Sequence, residues 1–244
     1  MLRGKVAIVT GGGRGIGKAI AAAFVREGAN VIVTAARERR EIESVASEIG
    51  ATAFQADVSK RDDVRTLADS VLSRFGSIDV LVNNAGRGMK FVNPNFMTDP
   101  RPFWEADPDV WRMVIDTNVI GVFLMTREVV PHMISRGFGR IINISMNYET
   151  MKRSGFSPYG PSKAALESMS TIWSRELEGT GVTLNVLLPG GATDTGMIPD
   201  TLPESMRAKL IDPAVMGPPA VFLASDESAH VNGQRFIAIE WNRK

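Results

Sequence analysis

A doubly wound α/β fold, one seven-stranded parallel sheet between helices in three α/β/α layers, follows from three features of the sequence. Short β-branched runs alternate with longer helix-period stretches from the first residues onward. A glycine-rich stretch joins the first run to the first helix. The chain has 244 residues, 44% hydrophobic and 23% charged, which suits one large domain with a sizeable core. Residues 1–244 are therefore read as a single domain.

Taken in order, Lys5–Thr10 reads as a strand, Ile16–Arg26 as a helix, Val31–Ala35 as a strand and Arg37–Ile49 as a helix. The rhythm continues with the strand Thr52–Ala56, the helix Asp62–Phe75 and the strand Ile78–Val82. A long helix follows from Asp109 to Arg136, then the strand Arg140–Ser145, a helix from Ser157 to Glu178 and the strand Thr183–Leu188. A short helix, Pro218–Ala224, and a last strand, Arg235–Ile239, complete the set. Right-handed crossovers make such a series one parallel sheet, with ligands at the carboxyl ends of the strands near the reversal of strand order. Two segments break the rhythm as loops, 87–107 and 190–217, and both follow strands. Phe91, Phe96, Phe103 and Trp104 in the first are open to two readings, core filling or a substrate-pocket wall.

Composition excludes several classes of function. Lys plus Arg number 28 and Asp plus Glu 27, so no bulk field points to nucleic acid. With no cysteine, disulfides, thiolate catalysis and Cys-ligated metals are excluded. The apolar run Ala19–Val25 is far short of the ~18 residues of a membrane helix. The amino terminus lacks a long apolar segment and a cleavage-like site, so the chain is expected to be unprocessed, soluble and cytoplasmic. His132 and His230 have no ligand-spaced partners, so no metal is expected. No Gly-x-Ser-x-Gly elbow suggests acyl transfer.

Thr10-Gly11-Gly12-Gly13-Arg14-Gly15-Ile16-Gly17 lies between a strand and a helix. Glycines there permit a tight turn, and the helix amino end then faces an anion such as a pyrophosphate. That gives a dinucleotide reading of Gly11, Gly13, Arg14, Gly15, Ile16 and Gly17. After the second strand stands Thr34-Ala35-Ala36-Arg37, without the carboxylate that would bind a ribose 2′-hydroxyl. Arg14, Arg37, Arg39 or Arg40 can meet a 2′-phosphate, which favours NADP and leaves NAD open. Asp57 with Val58 suits an adenine contact, or a helix N-cap. In Asn83-Asn84-Ala85-Gly86 the paired amides can lock the sheet while the small residues leave room for a cofactor. Tyr159 and Lys163, four apart at a helix start, share a face. An ammonium beside a phenol favours phenolate, a proton-transfer arrangement.

With Asn118, Pro189-Gly190 and the late segment Phe222–Asp226 to Gly233-Gln234, these motifs resemble the short-chain dehydrogenase/reductase family, in its common single-domain branch, from end to end. The resemblance implies a Rossmann-type catalytic domain. It also implies hydride transfer between a nicotinamide and a ketone or secondary alcohol. Tyr159 becomes the general acid/base, Lys163 the residue that holds the ribose and tunes the tyrosine, and Asn118 the support of a water-linked proton relay. Pro189, Gly190, Thr193 and Thr195 fall in the segment placed near the nicotinamide carboxamide and phosphates, although the usual threonine spacing lands on Asp194. The stretch from Gly86 to Asn118 is longer than in many relatives, and its aromatic and Met content suggests an apolar lid. A homotetramer or homodimer, built through the long helices and the last strand, is implied as well.

One family member does not carry over. The family's serine stands thirteen residues before the tyrosine, where this chain has Met146. Ser145, kept as the fourth catalytic candidate, lies one residue early, and strand alternation turns its hydroxyl to the other face unless a bulge restores it. Three readings stay open: a loop adjustment brings Ser145 in, Asn147 or Tyr148 supplies the donor, or the reaction runs without one. The alternative function is a catalytically impaired or vestigial NAD(P)-binding protein.

Overall fold

The computed structural model describes residues 1–241, so the last three residues of the expected domain lie outside the described residues. Its strands are β1 (Val6–Thr10), β2 (Asn30–Ala35), β3 (Thr52–Gln55), β4 (Val80–Asn83), β5 (Gly139–Ile144), β6 (Val182–Leu188) and β7 (Arg235–Ile237). The helices are α1 (Gly15–Arg26), α2 (Arg39–Ile49), α3 (Arg61–Phe75), α4 (Pro108–Ile115), α5 (Gly121–Arg136), α6 (Tyr148–Met151), α7 (Tyr159–Glu176), α8 (Glu204–Arg207), α9 (Gly217–Ala224) and α10 (Ala238–Trp241). The sheet runs β3-β2-β1-β4-β5-β6-β7, every pair parallel. The doubly wound, seven-stranded fold read from the sequence is the fold observed. Strand order reverses between β1 and β4, and that reversal fixes where a ligand crevice opens.

Alternation along the strands divides the core in two. Ala7 and Val9 of β1, with Val31 and Val33 of β2, pack under Ile20 and Phe24 of α1 and Leu223 of α9. Ile8 and Ile32, one residue out of phase, join Leu81 and Ile141 beneath Leu67 of α3 and Met125 and Val129 of α5. Full burial of such a side chain contributes about 1.5–3 kcal/mol, so both faces of every central strand are committed to apolar neighbours.

Several element boundaries differ from the sequence reading. The helix expected over 109–136 is α4 and α5 joined through a π turn, Asp116–Ile120, because the periodic pattern hides one wider turn. The last strand stops at Ile237, since Ala238 is fully buried against the α1 side and the chain coils there into α10. β4 starts at Val80 because Asp79 ends the preceding turn instead: its carboxylate accepts from the Val6 N–H at 2.8 Å and pairs with Arg136 at 2.9 Å. α2 begins at Arg39, leaving Arg37 in the loop after β2. In the segment 87–107, Phe96 is buried while Phe91, Phe103 and Trp104 are 50%, 69% and 73% exposed, so the four aromatics do not share one role.

Candidate active site

The crevice at the reversal point is held open by polar stitching between β1 and β4. Thr10 Oγ1 donates to the Val82 carbonyl at 3.1 Å and accepts from the N–H groups of Asn84 and Ala85, both at 3.0 Å. Asn84 Nδ2 donates to the carbonyls of Thr10 and Gly11 at 2.9 and 3.0 Å. Asn84, expected at a cofactor, thus also anchors the glycine-rich turn. Asn83 Nδ2 donates to Asn143 Oδ1 at 2.8 Å and to Thr126 Oγ1 at 3.0 Å, an amide lock across the strand ends. The turn needs its glycines: a Cβ at Gly17 would stand 2.3 Å from the Gly11 carbonyl oxygen.

A cleft of about 420 Å³ lies over that turn. Its floor is Gly11, Gly13, Arg14, Gly15 and Ile16; Arg37 comes from the loop after β2, Asp57 and Val58 from the loop after β3, and Asn84, Ala85 and Gly86 from the segment after β4. Thr195 closes the cleft from the opposite loop, its Cγ2 2.9 Å from where a Gly15 Cβ would be. The cleft fits a dinucleotide on two counts. Arg14, at the N-cap of α1, makes no side-chain cap hydrogen bond, and the buried Thr34 Oγ1 in the cleft wall has no hydrogen-bond partner among the described residues. Burial works against the Asp57 carboxylate, yet hydrogen bonds from Ser59 and the nearby Lys60 and Arg87 outweigh it and hold the group below its ordinary range.

Other expected residues lie outside this cleft. Gly17 packs beneath it. Pro189 is buried, the Gly190 carbonyl accepts from Asn147 Nδ2 at 2.9 Å, and Thr193 is buried with Oγ1 on the Gly191 carbonyl at 3.2 Å. The sequence reading missed Glu38 and Glu41, which line the rim near Arg37; Arg14 Nη1 is 3.9 Å from Glu41 Oε2. It also missed Arg87, which follows Gly86 directly and whose Nε donates to Thr117 Oγ1 at 3.2 Å.

Beside the cleft, α7 begins at Tyr159. Its half-buried ring packs against Met89, Phe96 and Phe156, and the same cluster holds Met146. Lys163 is buried; its Nζ donates to the Ile144 carbonyl at 2.8 Å and lies 5.8 Å from the Tyr159 ring centre. Desolvation pushes the Tyr159 phenol up to about 12. Burial pushes Lys163 down to about 8, opposed by the charge of Glu167. Asn118 sits in the π turn, fully buried. Its Oδ1 accepts from the Arg87 N–H at 2.8 Å, and its Nδ2 donates to the Arg87 carbonyl and to Ser162 Oγ, both at 3.0 Å. Ser162 Oγ in turn donates to the Tyr159 carbonyl at 2.7 Å.

Ser145 faces α7, the helix that carries Tyr159 and Lys163, and its hydroxyl is engaged further along that helix. Its Oγ donates to Glu167 Oε1 at 2.6 Å, on the side of the sheet where Asn143, two residues earlier, donates to Ser170 of α7 at 2.8 Å. Within β5 the alternation places Asn143 on the α7 side and Ile142 and Ile144 on the opposite side. Asn147 is engaged with Gly190, and Tyr148 is 50% exposed with the Arg235 guanidinium 3.9 Å over its ring. Beside Tyr159, the position of the family's serine is filled by a thioether.

Among the described residues no helix is long and apolar enough to cross a membrane, and no group of three metal-ligating side chains occurs.

Comparison with known proteins agrees with this architecture. The family model for short chain dehydrogenase matches residues 5–205. The 3-oxoacyl-(acyl-carrier-protein) reductase FabG of Staphylococcus epidermidis is 34% identical over 242 residues, covering 94% of this chain and 95% of that protein. The reductase of the same name from Thermotoga maritima is 33% identical over 247 residues, with 96% and 95% covered. The crystal structure of 3-ketoacyl-(acyl-carrier-protein) reductase from Brucella melitensis, complexed with NADH, matches with a TM-score of 0.86 at 31% identity and covers 97% of each chain. A glycine-floored crevice at the strand reversal, a Tyr-Lys pair at the head of α7 and matches along nearly the whole length have one source: the chain belongs to the short-chain dehydrogenase family of oxidoreductases.

Proposed function

We propose that the protein is an NAD(P)-dependent carbonyl reductase or alcohol dehydrogenase, favouring NADP(H), that interconverts a ketone and a secondary alcohol. The observation that carries this reading is the pairing of Tyr159 with Lys163 on the first turn of α7, beside a cleft built for a dinucleotide. The bound nicotinamide would supply or take the hydride. Gly11, Gly13, Gly15 and Ile16 receive the pyrophosphate, and Arg14 and Arg37 offer cations to a 2′-phosphate. Tyr159 gives its hydroxyl proton to the carbonyl oxygen in reduction and takes it back in oxidation. Lys163 supplies a positive charge that favours the phenolate against the desolvation that opposes it. Asn118, tied to Tyr159 through Ser162, holds the helix start and the segment at Arg87 in register.

A cytoplasmic homo-oligomer is part of the same proposal. Exposed Ile120 of the π turn, Phe123 of α5 and Ile172 of α7, with the Phe123 and Trp173 rings 6.4 Å apart, form an apolar face suited to a second copy. One observation favours the second reading, an impaired or vestigial enzyme: Met146 places no hydroxyl beside Tyr159. The deciding experiment follows oxidation of NADPH and NADH over a panel of ketones, diketones and quinones. Turnover that is abolished in Tyr159→Phe, with dinucleotide binding retained, supports the enzyme. Binding without turnover on the whole panel supports the vestigial reading.

A further inference from the structure

Behind the Tyr-Lys pair lies a polar cluster that the proposed reaction does not use. Glu167 Oε1 accepts from Ser145 Oγ at 2.6 Å. Arg235 Nε approaches both Glu167 oxygens, at 3.0 and 3.1 Å, and Arg235 Nη2 donates to the Met146 carbonyl at 2.9 Å. The side chains are 11% and 22% exposed, so this ion pair is largely taken out of water. Two apolar residues would fill the same space without that desolvation. What the carboxylate adds is a fixed negative charge one helical turn beyond Lys163. What the guanidinium adds is a hold on the backbone that presents Met146 to Tyr159.

We propose that Glu167 is a positioning residue that keeps Lys163 an ammonium in its buried place, while Arg235 tempers that carboxylate and pins the end of β5. The inference rests on the reading of Lys163 as the residue that meets the nicotinamide ribose. An ammonium has three N–H donors. One is used on the Ile144 carbonyl, which leaves two for a diol. Loss of the proton removes one of those two together with the charge. Burial works in that direction and Glu167 against it. The titratable and charged groups around the lysine are Tyr159 and Glu167 on α7, with Arg235 from β7 and Tyr148 from α6 on the far side of Glu167. From β5 come the Ile144 carbonyl and Ser145, and from the π turn Asn118 through Ser162.

The test is the pH dependence of NADPH and NADH affinity, read by nicotinamide fluorescence, in the wild type, Glu167→Gln, Glu167→Asp and Arg235→Met. Wild-type affinity falls on the alkaline side. Glu167→Gln moves that midpoint down by about one pH unit, and Arg235→Met moves it up because the carboxylate loses its competing cation. Glu167→Asp keeps it near the wild-type position. A merely structural role weakens binding at every pH and leaves the midpoint where it was. Unmoved midpoints, or midpoints that move the same way in Glu167→Gln and Arg235→Met, overturn the inference and leave the cofactor reading standing. A wild type that binds neither dinucleotide overturns both. If Glu167→Gln does not fold, the upward shift in Arg235→Met decides, with Glu167→Asp as the control.

Discussion

Replacing Met146 with serine tests the chemistry of the site most directly. The side chain is half-buried in the cluster of Met89, Phe96 and Phe156 that also packs Tyr159. Truncating a buried methionine costs about 2–5 kcal/mol, and partial exposure puts this site at the lower end, about 2 kcal/mol. For a chain of this length that lowers Tm by roughly 4–8 °C. In return, an oriented donor to a developing oxyanion contributes ~2.7–4 kcal/mol, or about 10²–10³ in kcat. The serine is shorter than the thioether it replaces, so the lower figure, about 10², is the expected gain. The assay is NADPH oxidation with the best substrate of the panel, alongside a thermal melt. Ser145→Ala serves as the comparison and should give no gain in kcat, because it removes a donor from Glu167 and adds none beside Tyr159. A folded Met146→Ser variant with normal cofactor affinity and no gain in kcat would refute the reasoning. Position 146 would then not face the reacting oxygen.

Three further outcomes follow from the geometry. Arg37→Ala should weaken NADP(H) at least about tenfold while sparing NAD(H), since a charge-assisted contact contributes about 1.5–3 kcal/mol; equal losses in titrations of the two would remove Arg37 from cofactor choice. The chain has two tyrosines, so in Tyr148→Phe the tyrosinate absorbance reports Tyr159 alone, and it should appear near pH 12. Because the unfolded phenol ionises first, stability should decline as pH rises above ~10, and an absorbance midpoint at the ordinary value would contradict the burial argument. Asn83→Ala leaves Thr126 and Asn143 without their shared donor and should cost about 1–3 kcal/mol in denaturant unfolding; a neutral result would mean the amide lock is dispensable.

The sheet was legible because its signal is periodic and redundant: β-branched runs at regular spacing admit one parallel arrangement, and each glycine in 11–17 points to the same turn. The cleft-lining residues were legible for a related reason, since each follows directly on a strand. Three things were hidden. The π turn carries no compositional mark, as one extra residue leaves the apolar pattern of α4 and α5 intact. Glu38 and Glu41 reach the rim only through the direction in which α2 leaves β2, which the sequence does not encode locally. Glu167 and Arg235 are far apart along the chain, and only the β6-to-β7 pairing brings them together. The spacing of Glu167 four residues after Lys163 was the one available sign.

Ser145 and Met146 show how a single strand parity can govern chemistry. β5 delivers Ile141, Asn143 and Ser145 to the face covered by α5 and α7, and Ile142 and Ile144 to the face covered by α1 and α9. The lock between Asn83 and Asn143 fixes this register, and the Asn143–Ser170 bond ties it to α7. A slip of one residue would break both bonds, turn Ser145 from the α7 face to the α1/α9 face and leave the buried Glu167 carboxylate without its serine donor. Each of those losses costs about 1–3 kcal/mol, so the register is firmly set. The fold therefore holds the Ser145 hydroxyl on the α7 face, engaged with Glu167. Position 146, whose side chain shares a cluster with Tyr159, is where a hydroxyl would stand beside the phenol without disturbing that register.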